Sequence, residues 1–154
     1  MKLDKKGKLI ISVFKYGKRH IDKHSLWDRM NFKLYEVLNA VICIGIFNFE
    51  MKASKNISSD IILYHPYGVV INGDATVKKG VIIRQQVTIG NKGINDSRCP
   101  VIDENVEIGA GAKIIGPIHI GKNSKIGANA VVTKSFPENS VLVGVPAKNI
   151  NRDK

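Results

Sequence analysis

From Ile71 to Phe136 aliphatic residues return at every sixth position. They fall at Ile71, Val77, Ile83 and Ile89, and after an interruption at Ile102, Ile108, Ile114, Ile120, Ile126 and Val132. A second apolar or small residue follows four positions later at Ala75, Val81, Val87, Val106, Ala112, Ile118, Ser124, Ala130 and Phe136. A helix repeats at 3.6 residues and a strand at two, so neither produces a period of six. A chain winding round a triangular prism does, with one short strand per face and one corner per hexad. Repeats of this kind mark parallel β-helices. The first inward residue stacks on its counterparts in the coils above and below. The second must fit near a corner and tends to be small. Asn72-Gly73-Asp74, Gly109-Ala110-Gly111, Gly121-Lys122-Asn123 and Gly127-Ala128-Asn129 supply the corners, where glycine and asparagine tolerate a positive φ. Separate antiparallel strands in a sandwich would not hold this phase over six consecutive hexads.

The N-terminal third follows another pattern. Ser25 to Phe49 reads as helix, with Ser25 as cap and Asp28 in the first turn, where the helix dipole favours negative charge. Leu34 to Phe49 is almost wholly apolar, yet at 16 residues it falls short of the roughly 20 that span a bilayer. Residues 1–56 hold 12 Lys/Arg against 5 Asp/Glu, a net +7 of the chain's +11. Two compatible readings stand. The segment caps the open apolar end of the prism, and the basic run Lys15, Lys18, Arg19, Lys23, Arg29 and Lys33 also suits peripheral contact with an anionic membrane. Nucleic acid is not expected, because no binding motif or aromatic stacking platform accompanies the charge. The expected division is 1–49 basic helical cap, 50–150 β-helix and 151–154 tail.

A chain of 154 residues with 44% hydrophobic content suits one domain with a solid core. Cys43 and Cys99 form neither a disulfide framework nor a zinc spacing. The apolar run Leu9 to Val13 is ended by Lys15 and lacks a small-residue cleavage site, so no signal peptide is read. The default expectation is cytoplasmic, at the inner face of the membrane if the basic segment engages it.

The repeat and the stretch Leu63-Tyr64-His65-Pro66-Tyr67-Gly68-Val69-Val70-Ile71-Asn72 together resemble the hexapeptide-repeat acyltransferases, in their serine acetyltransferase-like branch. Gln86 to Gly90, Ile108 to Gly116, Ile126 to Lys134 and Val143 to Lys148 extend the likeness across roughly residues 50–150, in the right order. The resemblance implies an all-β-dominated fold, a left-handed parallel β-helix behind a short helical segment. That hand departs from the usual right-handed crossover. It also implies a homotrimer with sites in the clefts between prisms, and acetyl-CoA as co-substrate without a metal.

The family's catalytic histidine matches His65, a base of suitable pKa for taking a proton from an acceptor hydroxyl. His65 also lies where the repeat slips, since Ile71 follows Leu63 by eight residues instead of six. The resemblance places Glu50, 15 residues earlier, where the family has an aspartate that orients the histidine. Ala110 and Ala128, one coil apart, match positions along the pantetheine arm, and Thr133, Lys134 and Lys148 match positions near the phosphates and adenine. Asn151 stands where sugar acetyltransferases often carry a further basic residue.

The departures concern the acceptor. Tyr64 replaces an aspartate that grips the ammonium of serine, and Arg98-Cys99 replaces an Arg-His pair. Tyr64 and Tyr67 offer flat rings suited to a sugar, with Arg98 as a remaining polar anchor. The N-terminal helical part is shorter than in serine acetyltransferases, and the tail lacks the isoleucine end that docks a sulfhydrylase. The expectation is therefore an O-acetyltransferase acting on a sugar, within surface polysaccharide synthesis. The alternatives are serine O-acetylation and a non-catalytic β-helix scaffold. A γ-type carbonic anhydrase fails, because it needs three histidine ligands and the repeat region holds only His65 and His119. Cys99 has no base beside it in sequence to make it an acyl-carrying nucleophile.

Overall fold

A computed structural model describes residues 4–151. The chain begins with α1 (Lys5–His20) and α2 (Leu26–Leu38), the second running on as a π-helical segment over Asn39–Ile46. Short strands follow: β1 (Glu50–Met51), β2 (Ile62–Leu63), β3 (Val70–Ile71), β4 (Thr76–Val77), β5 (Ile82–Ile83) and β6 (Thr88–Gly90). Beyond an excursion at 91–100 come β7 (Val101–Ile102), β8 (Glu107–Ile108), β9 (Lys113–Ile115), β10 (His119–Ile120), β11 (Lys125–Ile126), β12 (Val131–Val132) and β13 (Val141–Val143). Last, β14 (Lys148–Asn149) folds back antiparallel on β13.

The strands build three faces. One holds β1, β3, β6, β9 and β12, another β4, β7 and β10, and the third β2, β5, β8, β11, β13 and β14. Every strand pair except the last is parallel. Ile71 lies beside Ile89 and Ile108 beside Ile126, so one coil takes eighteen residues, three hexads. The inward residues from Ile71 to Val132 are buried in an unbroken column.

The corners obey backbone geometry. Gly80, Gln86, Asn105, Gly111, Asn123 and Asn129 all take positive φ, each three residues after an inward aliphatic. The corner at 72–74 does not. There Asn72 accepts the Asp74 amide on its side chain and the Ala75 amide on its carbonyl, both at 3.0 Å, closing the turn with ordinary φ.

Three places break the eighteen-residue register: two insertions, and a last coil shortened to sixteen residues between Ile126 and Leu142. Leu63 pairs with Ile83 and Met51 with Ile71, twenty residues apart, so two extra residues lie between Leu63 and Ile71. Ile89 pairs with Ile114, twenty-five apart, so seven extra residues leave the wall after β6. After both insertions the inward column resumes in phase.

Helix α2 starts as its sequence indicates. Ser25 accepts the Asp28 amide at 3.1 Å, and the Asp28 carboxylate meets His20 Nδ1 at 2.8 Å. Helix α1 lies inside the expected helical cap, ahead of the stretch from Ser25 that reads as helix. It buries Gly7, Ile10, Val13, Phe14 and Gly17, a helical spacing whose two glycines lower its intrinsic propensity and mask the pattern. Those glycines are needed for contact. A Cβ at Gly17 would meet the Tyr35 ring, and one at Gly7 would meet the backbone and Cβ of Leu63. Buried residues of the helices share one apolar cluster with those of the coils.

The basic run is largely engaged within the chain. Lys15 faces Asp60 at 3.8 Å, Lys18 bonds the Ile57 carbonyl, Lys23 faces Asp28 at 3.8 Å, and Lys33 pairs with Glu36 at 2.7 Å. Among the described residues no helix is long and apolar enough to cross a membrane.

Candidate functional site

The two-residue insertion after β2 carries His65 out of the wall. Its side chain is 72% exposed, and its backbone takes φ +51°, rare for a residue with a Cβ. What holds it there is Asp4, the N-cap of α1. One Asp4 carboxylate oxygen accepts the Lys6 amide at 2.9 Å, and the other accepts the His65 amide at 2.8 Å. The same oxygen that holds the His65 amide lies 3.7 Å from His65 Nδ1. These contacts, led by the His65 amide, keep the Asp4 carboxyl below the usual carboxylate range. Gly7 lets α1 sit against Leu63, which brings its first turn to the insertion.

His65 and Tyr67 line a cavity of about 420 Å³ with Asn48, Gly68, Gln85 and Gln86. Lys6 lies over the Tyr67 ring at 4.9 Å from its centroid, and Arg84 over Tyr64 at 5.9 Å. Cations thus stack on both tyrosines flanking the histidine. Sequence reasoning missed Asp4, Gln85 and Gln86. Gln86 carried a signal, because it occupies a positive-φ corner that elsewhere holds glycine or asparagine.

The corner above this cavity runs straight to the expected cofactor wall. The Gln86 amide bonds the Tyr67 carbonyl at 2.8 Å, the Gly111 amide bonds Gln85 at 2.9 Å, and the Asn129 amide bonds Ala110 at 2.8 Å. Three coil steps of ~4.8 Å place Ala128 ~14 Å above His65 along one edge of the prism. Small residues keep that edge open to an extended chain. Gly109 also keeps the coils close, since a Cβ there would lie 2.6 Å from the Ala128 amide nitrogen. Thr133 and Lys134 follow β12 on the surface, and the Ala147 amide bonds Val131 at 2.8 Å, drawing exposed Lys148 toward the same end.

Other expected residues stand apart. Glu50 lines a separate cavity of about 370 Å³ with Lys52, Val70, Ile71, Asn72, Gly73 and Asp74. Among the described residues no hydrogen bond or ion pair joins it to His65; the carboxylate in contact is Asp4. Arg98, on the seven-residue excursion, has its guanidinium held by Asp96 at 2.9 and 3.1 Å. Burial pushes the Cys99 thiol up, which disfavours the thiolate.

His119 belongs to a different face. It meets Asp103 at 2.8 Å, and Lys78 meets the other Asp103 oxygen at 2.7 Å. Lys78 foremost, then His119, hold the Asp103 carboxyl below its ordinary range. A lowered carboxyl stabilises the fold above its unfolded value of about 3.9, and that contribution is lost as pH falls through the lower folded value. We expect Asp103→Asn to flatten the acid-side decline of Tm below about pH 4, as followed by circular dichroism. An unaltered decline would remove Asp103 from that account.

Comparison with known proteins gives this geometry its relatives. Residues 99–134 match the family described as bacterial transferase hexapeptide (six repeats). Serine acetyltransferase of Buchnera aphidicola from Schizaphis graminum is 38% identical over 133 residues, covering 85% of this chain and 51% of that protein. The Mycobacterium tuberculosis serine acetyltransferase is 44% identical over 132 residues, covering 85% and 57%. The chain carries the hexapeptide repeat and resembles serine acetyltransferases along 85% of its length. Among solved structures, Brucella abortus serine acetyltransferase in complex with coenzyme A aligns at TM-score 0.78 and 34% identity, over 94% of this chain and 56% of that one. That likeness implies the left-handed winding expected from sequence. This hexapeptide-repeat chain spans about half the length of the curated relatives it matches. The sugar acceptor and polysaccharide role expected from sequence find no support in these relatives, which are named for serine.

Proposed function

We propose that this chain is an acetyl-CoA-dependent O-acetyltransferase whose acceptor is serine or a close amino-alcohol. The observation that carries the reading is the single corner joining His65 to Ala110 and Ala128 by backbone hydrogen bonds. A thioester laid along that edge presents its carbonyl near the histidine. His65 takes the hydroxyl proton as the acceptor oxygen attacks, and the thiolate of CoA leaves as the acetyl ester forms. Backbone amides near the cleft steady the oxyanion. Transfer is direct, in a ternary complex, and the functional unit is a homotrimer, with Arg98 on the excursion offered to the acceptor.

Serine replaces the sugar as first reading for a physical reason. The sugar expectation rested on the loss of an aspartate at Tyr64. Lys6 and Arg84, which lie over Tyr67 and Tyr64, bring positive charge for the carboxylate of an amino acid, and the relatives this chain matches are named for serine. Thiol release from acetyl-CoA, measured with serine, homoserine and a set of sugars, tests the proposal. Turnover with serine alone supports it. Turnover confined to sugars overturns the acceptor, and no CoA binding by calorimetry overturns the enzyme in favour of a scaffold.

The cofactor end has its own test. Lys134 and Lys148 are exposed at the upper end of the wall. Replacing both by glutamate is expected to weaken CoA about tenfold or more, equivalent to about 1.4 kcal/mol, by calorimetry. Unchanged affinity would move the phosphates elsewhere.

A further inference from the structure

We infer that Asp4 is a positioning residue for His65, so that the first helix is a working part of the site as well as a lid on the coil. This rests on the proposed role of His65 as base, and the test below separates the two.

The argument starts from strain. His65 sits at φ +51°, outside the ordinary range for an L-residue, on a two-residue insertion whose side chain is mostly exposed. A conformation of that kind persists only where neighbouring groups fix it. Asp4 does so directly, since its carboxylate accepts the His65 amide at 2.8 Å. The carboxylate is itself anchored. It caps α1 through the Lys6 amide and is only 13% exposed, so it has little freedom to swing away.

The same oxygen lies 3.7 Å from His65 Nδ1, beyond hydrogen-bond length but within ion-pair range. Catalytic hydrogen bonds are often long before substrate binds, so this separation is compatible with a bond in the working complex. A carboxylate on Nδ1 selects the tautomer protonated there and leaves Nε2 free to accept a proton from the acceptor. Once Nε2 is protonated, the imidazolium is steadied by the adjacent negative charge. Glu50, the carboxylate suggested by resemblance, makes no such contact and lines another cavity.

The tests use the full chain. Asp4→Asn keeps one oxygen, which can accept the His65 amide or the Lys6 amide but not both, and removes the charge. Asp4→Ala removes both bonds and the charge, and Asp4→Glu restores the charge. The first readout needs no acceptor: imidazole ¹⁵N shifts of histidine-labelled protein, with His65 assigned by its loss in His65→Gln. We expect the wild type to favour the Nδ1-protonated tautomer, Asp4→Asn to shift toward the Nε2-protonated form, and Glu50→Gln to leave the wild-type pattern. The second readout is kinetic. Asp4→Asn is expected to lower kcat about tenfold or more, with KM for acetyl-CoA unchanged and Tm lowered by no more than the loss of one capping hydrogen bond explains, and Asp4→Glu to recover part of the rate. A wild-type tautomer pattern in Asp4→Asn, or a shift produced by Glu50→Gln instead, overturns the assignment. If the wild type proves inactive with every acceptor, the tautomer experiment still decides Asp4, and only the base role of His65 falls.

Discussion

His65→Ala is expected to lower kcat by about 10²–10⁴-fold while coenzyme A still binds with near-wild-type affinity. The separation follows from the geometry. The histidine lies at the foot of the corner, and Ala110 and Ala128, expected along the cofactor, lie two and three coil steps above it on a ladder of backbone hydrogen bonds. Removing an exposed imidazole leaves no buried cavity and breaks no side-chain hydrogen bond of the wall. The loss should therefore appear in the chemical step alone. Single-turnover kinetics beside calorimetry of CoA binding would show it. An unchanged rate would end the base assignment, and a parallel loss of CoA binding would mean that the insertion shapes the wall instead of acting beside it.

The second large effect concerns stability. Ile108→Ala should destabilise the protein by about 2–5 kcal/mol, read as a lower urea midpoint. Ile108 is fully buried and lies between Ile83 below and Ile126 above in one stacked row. Each coil touches mainly the next, so the rows cannot slide together to close the gap without disturbing the hydrogen-bonded ladders. A cost below about 1 kcal/mol would show that the column collapses around the missing atoms. The same truncation at Val143, partly exposed beyond the last full coil, should cost far less.

Much of this molecule is written in its hexads. The column from Ile71 to Val132, the corners at Gly111, Asn123 and Asn129, and the irregularity at His65 all follow from period and phase, because each coil repeats the same local demand. The bounds of helix α1 were hidden because its contact face uses glycines, which read as breakers although they permit close packing against Tyr35 and Leu63. Asp4 was hidden for a different reason. Its contact with His65 spans 61 residues and depends on how a helix docks, which no local pattern encodes. The preference for a sugar had the same local basis: it rested on the aspartate missing beside the histidine in sequence, and the relatives named for serine give it no support.

The seven-residue departure after β6 leaves and rejoins the prism without shifting a single inward side chain, and Ile94 within it is fully exposed. Its middle faces solvent, while Cys99 and Pro100 tie its end to the coil, the Pro100 carbonyl accepting the Thr76 amide at 3.0 Å. Segments from its relatives could be grafted there to retune selectivity while the scaffold stays constant. The short step that lifts His65 allows no comparable freedom, since altering it would carry the imidazole away from its anchor.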